Sequence, residues 1–192
     1  MQKLTLKDIL PLNEYEKVRN DLKKNVIQIK ANRRVHLGDI ITLVFENRHT
    51  ISLQIQEMMR VEHIYDEKKI QDEIDIYNAL IPEQDELSAT LFIEITEEPK
   101  IKPELDKLMG LDNGRSVFFE IGSQKVYAKF EEGHSNETKI SAVHYVRFEF
   151  SPELIQILKT GKEDIFLEID HPNYKARIKL NHATRQSLAN DL

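Results

Sequence analysis

Two hydrophobic rhythms divide this chain, and their order limits what it can fold into. Helical spacing prevails through residue 80, broken by one β-branched run, and short alternating segments take over from Glu86. Tyr15, Val18, Leu22, Val26 and Ile29 recur as one helical face after Pro11, with Asn13 read as its cap. Glu14 and Glu16 open that helix and Lys23, Lys24 and Lys30 lie toward its end, the charge order a helix dipole favours. A short turn capped by Thr5 precedes it, over Thr5 to Leu10. Asp39 to Phe45, after Gly38, reads as a strand. The next segment, from His49 or Thr50 to Tyr65, carries both signals. Ile51, Leu53 and Ile55 alternate, yet Ile51, Ile55, Met58 and Glu62 stack on one helical face. Its Gln, Glu, Met and Arg content favours helix. A further helix spans Glu67 to Leu80 and stops before Pro82.

The remainder predicts strands at Glu86–Ile95, Ser116–Ile121, Lys125–Glu131, Lys139–Phe150, Asp164–Ile169 and Lys175–Leu180. Helices are expected at Lys102–Leu108, Ser151–Leu158 and from Asn181 to Leu192. Strands and helices in this order, without regular βαβ alternation, predict an α+β fold: a mostly antiparallel sheet with an N-terminal helical portion packed on it. One domain over residues 1–192 is expected, because neither half offers a comfortable core alone; an internal division would fall near 97–103. The polar stretch Gly133–Thr138 is the segment expected to be disordered.

Composition removes several function classes. The chain has no cysteine, which excludes disulfides, thiol catalysis, thiolate-held iron–sulfur clusters and the usual structural zinc sites. A net charge of −6 argues against general nucleic-acid binding, which needs a clustered positive surface. The one basic run, Lys23–His36, more often solvates a helix end than grips a polyanion. No window approaches the roughly 18 apolar residues of a membrane span, and the N-terminus lacks a secretory pattern. A cytoplasmic protein is expected.

Polar chemistry is densest from Arg33 to Pro82. The candidate ligand-binding set is Arg34, His36, Glu46, Asn47, Arg48, His49 and Glu57, with His171 and Tyr174 added from the later hairpin loop. Gln54, Met58, Met59, Arg60 and His63 form the candidate interface, since adjacent methionines on a helix can face a core and a partner. The plain alternatives stand beside these. Glu57 and Arg60 are ordinary helix neighbours, His49 suits a helix cap, and Pro172-Asn173 is explained by a turn. His49 and His63, roughly 21 Å apart along one helix, cannot share an ion. His63 with Glu62 and Glu73, or His49 with Glu46, remain the weaker metal options, and the residues name no metal and no cofactor. No nucleophile–base motif or glycine-rich phosphate loop is present.

The strings RRVHLG, TLVFENRHT, QIQEMMRVEHI, YNALIP and DHPNY resemble a bacterial family described only as a domain of unknown function, over nearly the whole chain. Genes of that family tend to sit beside those for rubrerythrin-like proteins and an iron–sulfur oxidoreductase. The resemblance thus implies an accessory role in peroxide or electron-transfer metabolism. Two readings follow. The first is a non-catalytic accessory protein with a protein partner or a homodimeric contact. The alternative is an enzyme or a ligand- or metal-binding protein with its site around Arg34–Glu57.

Overall fold

In a computed structural model, residues 1–131, 133 and 139–192 are described. The segment expected to be disordered lies, apart from Gly133, outside them. The chain opens with a 3-10 turn, Leu6–Asp8, where the Thr5 N–H donates to the Asp8 carboxylate at 2.8 Å. Helix α1 follows (Leu12–Ala31). Its cap is Pro11 rather than Asn13: the Pro11 carbonyl accepts from the N–H groups of Glu14 and Tyr15. Strands β1 (Arg34–Leu37) and β2 (Ile41–Glu46) form a hairpin, and β1 is an element the sequence reading did not contain.

Helix α2 (Arg48–Val61) decides the ambiguous segment in favour of helix. Its start is fixed reciprocally. The Asn47 side chain accepts from the N–H groups of His49 and Thr50, and the Thr50 hydroxyl accepts from the Asn47 N–H at 2.9 Å. Helix α3 (Glu67–Asn78) is capped by Asp66, which accepts from the Lys69 N–H. Between them His63 adopts φ 52, and the Ile64 N–H closes back on the Met59 carbonyl.

The rest of the chain runs β3 (Glu86–Ile93), α4 (Glu98–Lys107), β4 (Val117–Ile121), β5 (Gln124–Tyr127), β6 (Lys129–Phe130), β7 (Val143–Glu149), α5 (Pro152–Thr160), β8 (Ile165–His171), β9 (Tyr174–Lys179) and α6 (His182–Ala189). Helix α4 starts earlier than expected and carries Pro103 inside it rather than in its first turn. The expected strand Lys125–Glu131 is two strands in different sheets. One sheet has the order β1-β2-β3-β7-β6 and the other β5-β4-β8-β9, with antiparallel neighbours throughout. The fold is therefore α+β.

One apolar core spans both sheets, drawing Leu43, Phe45 and Leu91 from the first and Phe119, Leu167 and Ile169 from the second. Phe119 meets Phe148 edge-on at 4.8 Å between ring centroids. The opposite face of the first sheet is polar where it meets the helices. Glu46 there accepts from the hydroxyls of Thr50 in α2 and Thr90 in β3, and the Ser88 hydroxyl donates to the Leu80 carbonyl. A second, smaller core holds Ile51, Ile55 and Met59 of α2 against Ile74 of α3 and Leu4 and Ile9 of the N-terminal segment.

Candidate binding cleft

Three helices surround a cleft of 990 Å³. Helix α1 contributes Leu22, Val26 and Ile29, positions that share one face of a 3.6-residue helix. Helix α2 adds Leu53, the N-terminal segment Leu10, and α6 Ala183. Around these apolar side chains stand uncharged polar ones. Asn25 and Gln28 come from α1 and Asn32 from its C-cap, Ser52 and Gln56 from α2, and Gln186 and Ser187 from α6 with Asn190 at its C-cap. His49 and His182 complete the lining with Asp8. Almost a third of the chain is Asp, Glu, Lys or Arg (31%), yet Asp8 is the one such residue lining the cleft.

A rigid frame holds the three helices at this spacing. Arg33, just after α1, is only 1% exposed. Its guanidinium donates to the carbonyls of Phe45 (2.8 Å), Glu46 (3.0 Å) and Ser187 (3.1 Å), and it pairs with the Asp191 carboxylate beyond α6. One buried side chain thus ties α1, β2 and α6 together. Burial pushes the Asp191 carboxyl up, against the pull of Arg33 and the nearby His49.

At the other end, Glu57 of α2 accepts from Arg19 Nε (2.6 Å) and Nη2 (2.8 Å) and from the Tyr15 hydroxyl (2.5 Å), all on α1. The Arg19 contact, with Tyr15 assisting, holds the Glu57 carboxyl down at about 2. Burial, then the Glu57 carboxylate, pushes the Tyr15 phenol up. The cleft rim is pinned by Asp8 and Arg48, 2.6 Å apart, and the Arg48 guanidinium brings Asp8 to about 2.

The structure separates the sequence candidates into three places. Glu46, Asn47, Arg48, His49 and Glu57 gather on α2 and the strand leading into it, but only His49 among them lines the cleft. Arg34 and His36 lie on β1. The Thr42 hydroxyl donates to Glu94 at 2.5 Å and so accepts from His36 Nδ1 at 2.9 Å, while Arg34 lies 3.6 Å from Glu94. His171 and Tyr174 belong to the β8–β9 hairpin: His171 Nε2 donates to the Met109 carbonyl and the Tyr174 hydroxyl to the Leu37 carbonyl. Tyr174 therefore meets the β1–β2 turn.

Among the interface candidates, Met59 is buried in the smaller core, Gln54, Met58 and Arg60 are half-buried, and His63 is exposed at the α2–α3 turn. Among the described residues, no three His, Asp or Glu side chains converge as a metal site. The α1 and α6 walls were not among the sequence candidates. The only local signal was the spacing of His182, Gln186 and Asn190, one face of a short helix.

Fold and cleft together define a two-sheet α+β protein whose helical side presents a large, almost uncharged groove. The chain belongs to the DUF3501 family, described as protein of unknown function, whose model matches residues 3–192. It is similar to a protein from Burkholderia pseudomallei K96243, whose crystal structure at 1.90 Å is described as that of a novel protein of unknown function. The two are 36% identical over 100% of each chain, with a TM-score of 0.91. No curated protein matches the sequence.

Proposed function

We propose that this protein is a cytoplasmic, non-catalytic accessory protein, one domain over residues 1–192, that works by binding a partner protein in the α1–α2–α6 cleft. The observation that carries this reading is the near absence of formal charge from the cleft lining of a highly charged chain. Protein-binding surfaces are depleted of charge at their centres, because a buried unpaired ion costs more than the contact returns. Apolar side chains between the helices supply area, and the surrounding amides and hydroxyls can pair with a partner's backbone. The setting implied by the family resemblance is peroxide or electron-transfer metabolism. The chain has no cysteine, so a thiolate-held cluster would belong to the partner.

No helix among the described residues is long and apolar enough to cross a membrane. This is compatible with the proposed location.

The test is photocrosslinking in the native host from a reactive amino acid placed at Ser52. One discrete partner should be captured, and Leu53→Lys should abolish the product. Only background products, unchanged by Leu53→Lys, would defeat the proposal. A small-ligand reading keeps some support from the size of the cleft, which lies at the upper end of the roughly 300–1,000 Å³ typical of such pockets. A mass excess of a few hundred daltons on protein isolated from the host would favour it.

A further inference from the structure

We infer that a separate cavity beneath the end of α3 binds a primary ammonium group on a short alkyl chain, seated on the Glu46 carboxylate. Among the described residues its lining shares none with the cleft, so the site stands or falls apart from the binding reading above. Strand register builds the floor. Cross-strand pairing puts Glu46, Ser88, Arg147 and Lys129 in one row of the first sheet, and Thr90, Tyr145 and Glu131 in the next, on the face turned to the helices. Ala79 and Leu80, just past α3, close the cavity from above. The Arg147 guanidinium donates to the Ala79 carbonyl and the Ser88 hydroxyl to the Leu80 carbonyl.

Glu46 carries the argument. It is only 4% exposed, and it lines the cavity. A carboxylate this deep ordinarily faces a cation, because burying an unpaired charge is costly. Among the described residues no cation pairs with it. Its hydrogen bonds come from neutral hydroxyls, Thr50 at 2.5 Å and Thr90 at 3.0 Å. A carboxylate offers about four acceptor sites, so about two remain.

The cations in the lining are spent elsewhere. Lys129 pairs with Glu149 at 2.5 Å and Arg147 with Glu86, and neither of those carboxylates lines the cavity. Glu131 adds a second carboxylate at the exposed mouth. The C-terminal end of α3 meets the same cavity and brings the negative pole of its dipole. Burial, then Tyr77, Glu131 and Glu46, push the Tyr145 phenol up, so the field of both carboxylates reaches this side chain. Size limits what can answer that field. The cavity measures 170 Å³, the volume of about six waters, which suits about six heavy atoms. A primary ammonium brings three donors to the open acceptor sites of Glu46, and Leu80 offers its chain an apolar contact.

The probe is pentylammonium chloride, titrated into the isotope-labelled full chain and followed by chemical shifts. Pentanol and pentanoate are its neutral and anionic counterparts. Pentylammonium should move resonances of Glu46, Ser88, Thr90 and Tyr145 to saturation, and both counterparts should bind at least about tenfold more weakly. Lysine blocked at its α-amine and carboxyl is titrated in parallel. Weaker binding than pentylammonium assigns the site to a free amine, and tighter binding assigns it to a lysine side chain of a protein.

Glu46→Gln keeps the shape of the side chain and removes its charge. Ala79→Lys, at an exposed position, sets a tethered ammonium at the mouth. Each should weaken pentylammonium by about tenfold or more. Shifts that do not saturate, shifts scattered away from the cavity, or equal affinity for pentanol overturns the inference. So does undiminished binding by a folded Glu46→Gln variant. Should that variant fail to fold, undiminished binding by Ala79→Lys overturns it instead.

Discussion

Gln56 pairs with the backbone of Leu10 as a strand would, donating from Nε2 to the carbonyl at 3.1 Å and accepting on Oε1 from the N–H at 2.9 Å. The Gln56 side chain is almost completely buried, and Leu10 lines both the cleft and a smaller groove of 480 Å³. The pair therefore fixes the backbone of a residue that the two share. Gln56→Leu leaves two partly buried backbone groups without partners and should cost about 1–3 kcal/mol. Urea denaturation gives the loss, and hydrogen exchange at Leu10 should accelerate ahead of global unfolding.

Glu57 makes stability depend on acid. Its folded carboxyl sits near 2 against an ordinary 4.5, so the folded state holds fewer protons than the unfolded one between those values. The Glu57 contribution is complete above pH 4.5 and disappears as pH falls toward 2. Glu57→Gln should lower stability at pH 7 by about 1–2 kcal/mol, modest because the carboxylate is partly hydrated. It should also flatten the acid limb of a plot of stability against pH.

Arg33 and Asp191 form a buried pair that is costly to break singly. Arg33→Met strands the Asp191 carboxylate and frees three backbone carbonyls, a loss of about 3–5 kcal/mol. Combining it with Asp191→Leu should recover part of that loss, because two apolar groups leave no buried charge. A double-mutant cycle in denaturant measures the coupling. Equal, additive losses would show that the pair does not act as a unit.

His63 holds the left-handed position that ends α2, where a Cβ is disfavoured. His63→Gly should raise stability by about 1 kcal/mol, readable as a higher melting temperature. Binding at the cleft should not change, because His63 lies on none of its walls.

These features were unequally legible in the sequence. Helix α2 could be read because its Gln, Glu, Met and Arg content favours helix, although its cap is Asn47, reciprocated by Thr50, and not His49. Strand β1 escaped because it is short and its two outward residues are Arg34 and His36, so half of its pattern is polar. The division of residues 124–130 between two sheets is set by partners far along the chain, Phe118 and Phe119 on one side and Val146 and Arg147 on the other. No local pattern at Ala128 announces it. The cleft is a further step removed. Its walls come from residues 22–32, 49–56 and 182–190, and each stretch alone looks like an ordinary amphipathic surface.

The pairing of β3 with β7 sets an order on biosynthesis. Glu86 to Phe92 are matched with residues 143 to 149, so the sheet begun at Arg34 stays open at one side until that later strand has left the ribosome. Until then the β3 edge, with Leu87, Ala89 and Leu91, is an unpaired apolar strand in the nascent chain. This protein should therefore depend on a holding chaperone during synthesis more than its folded surface suggests.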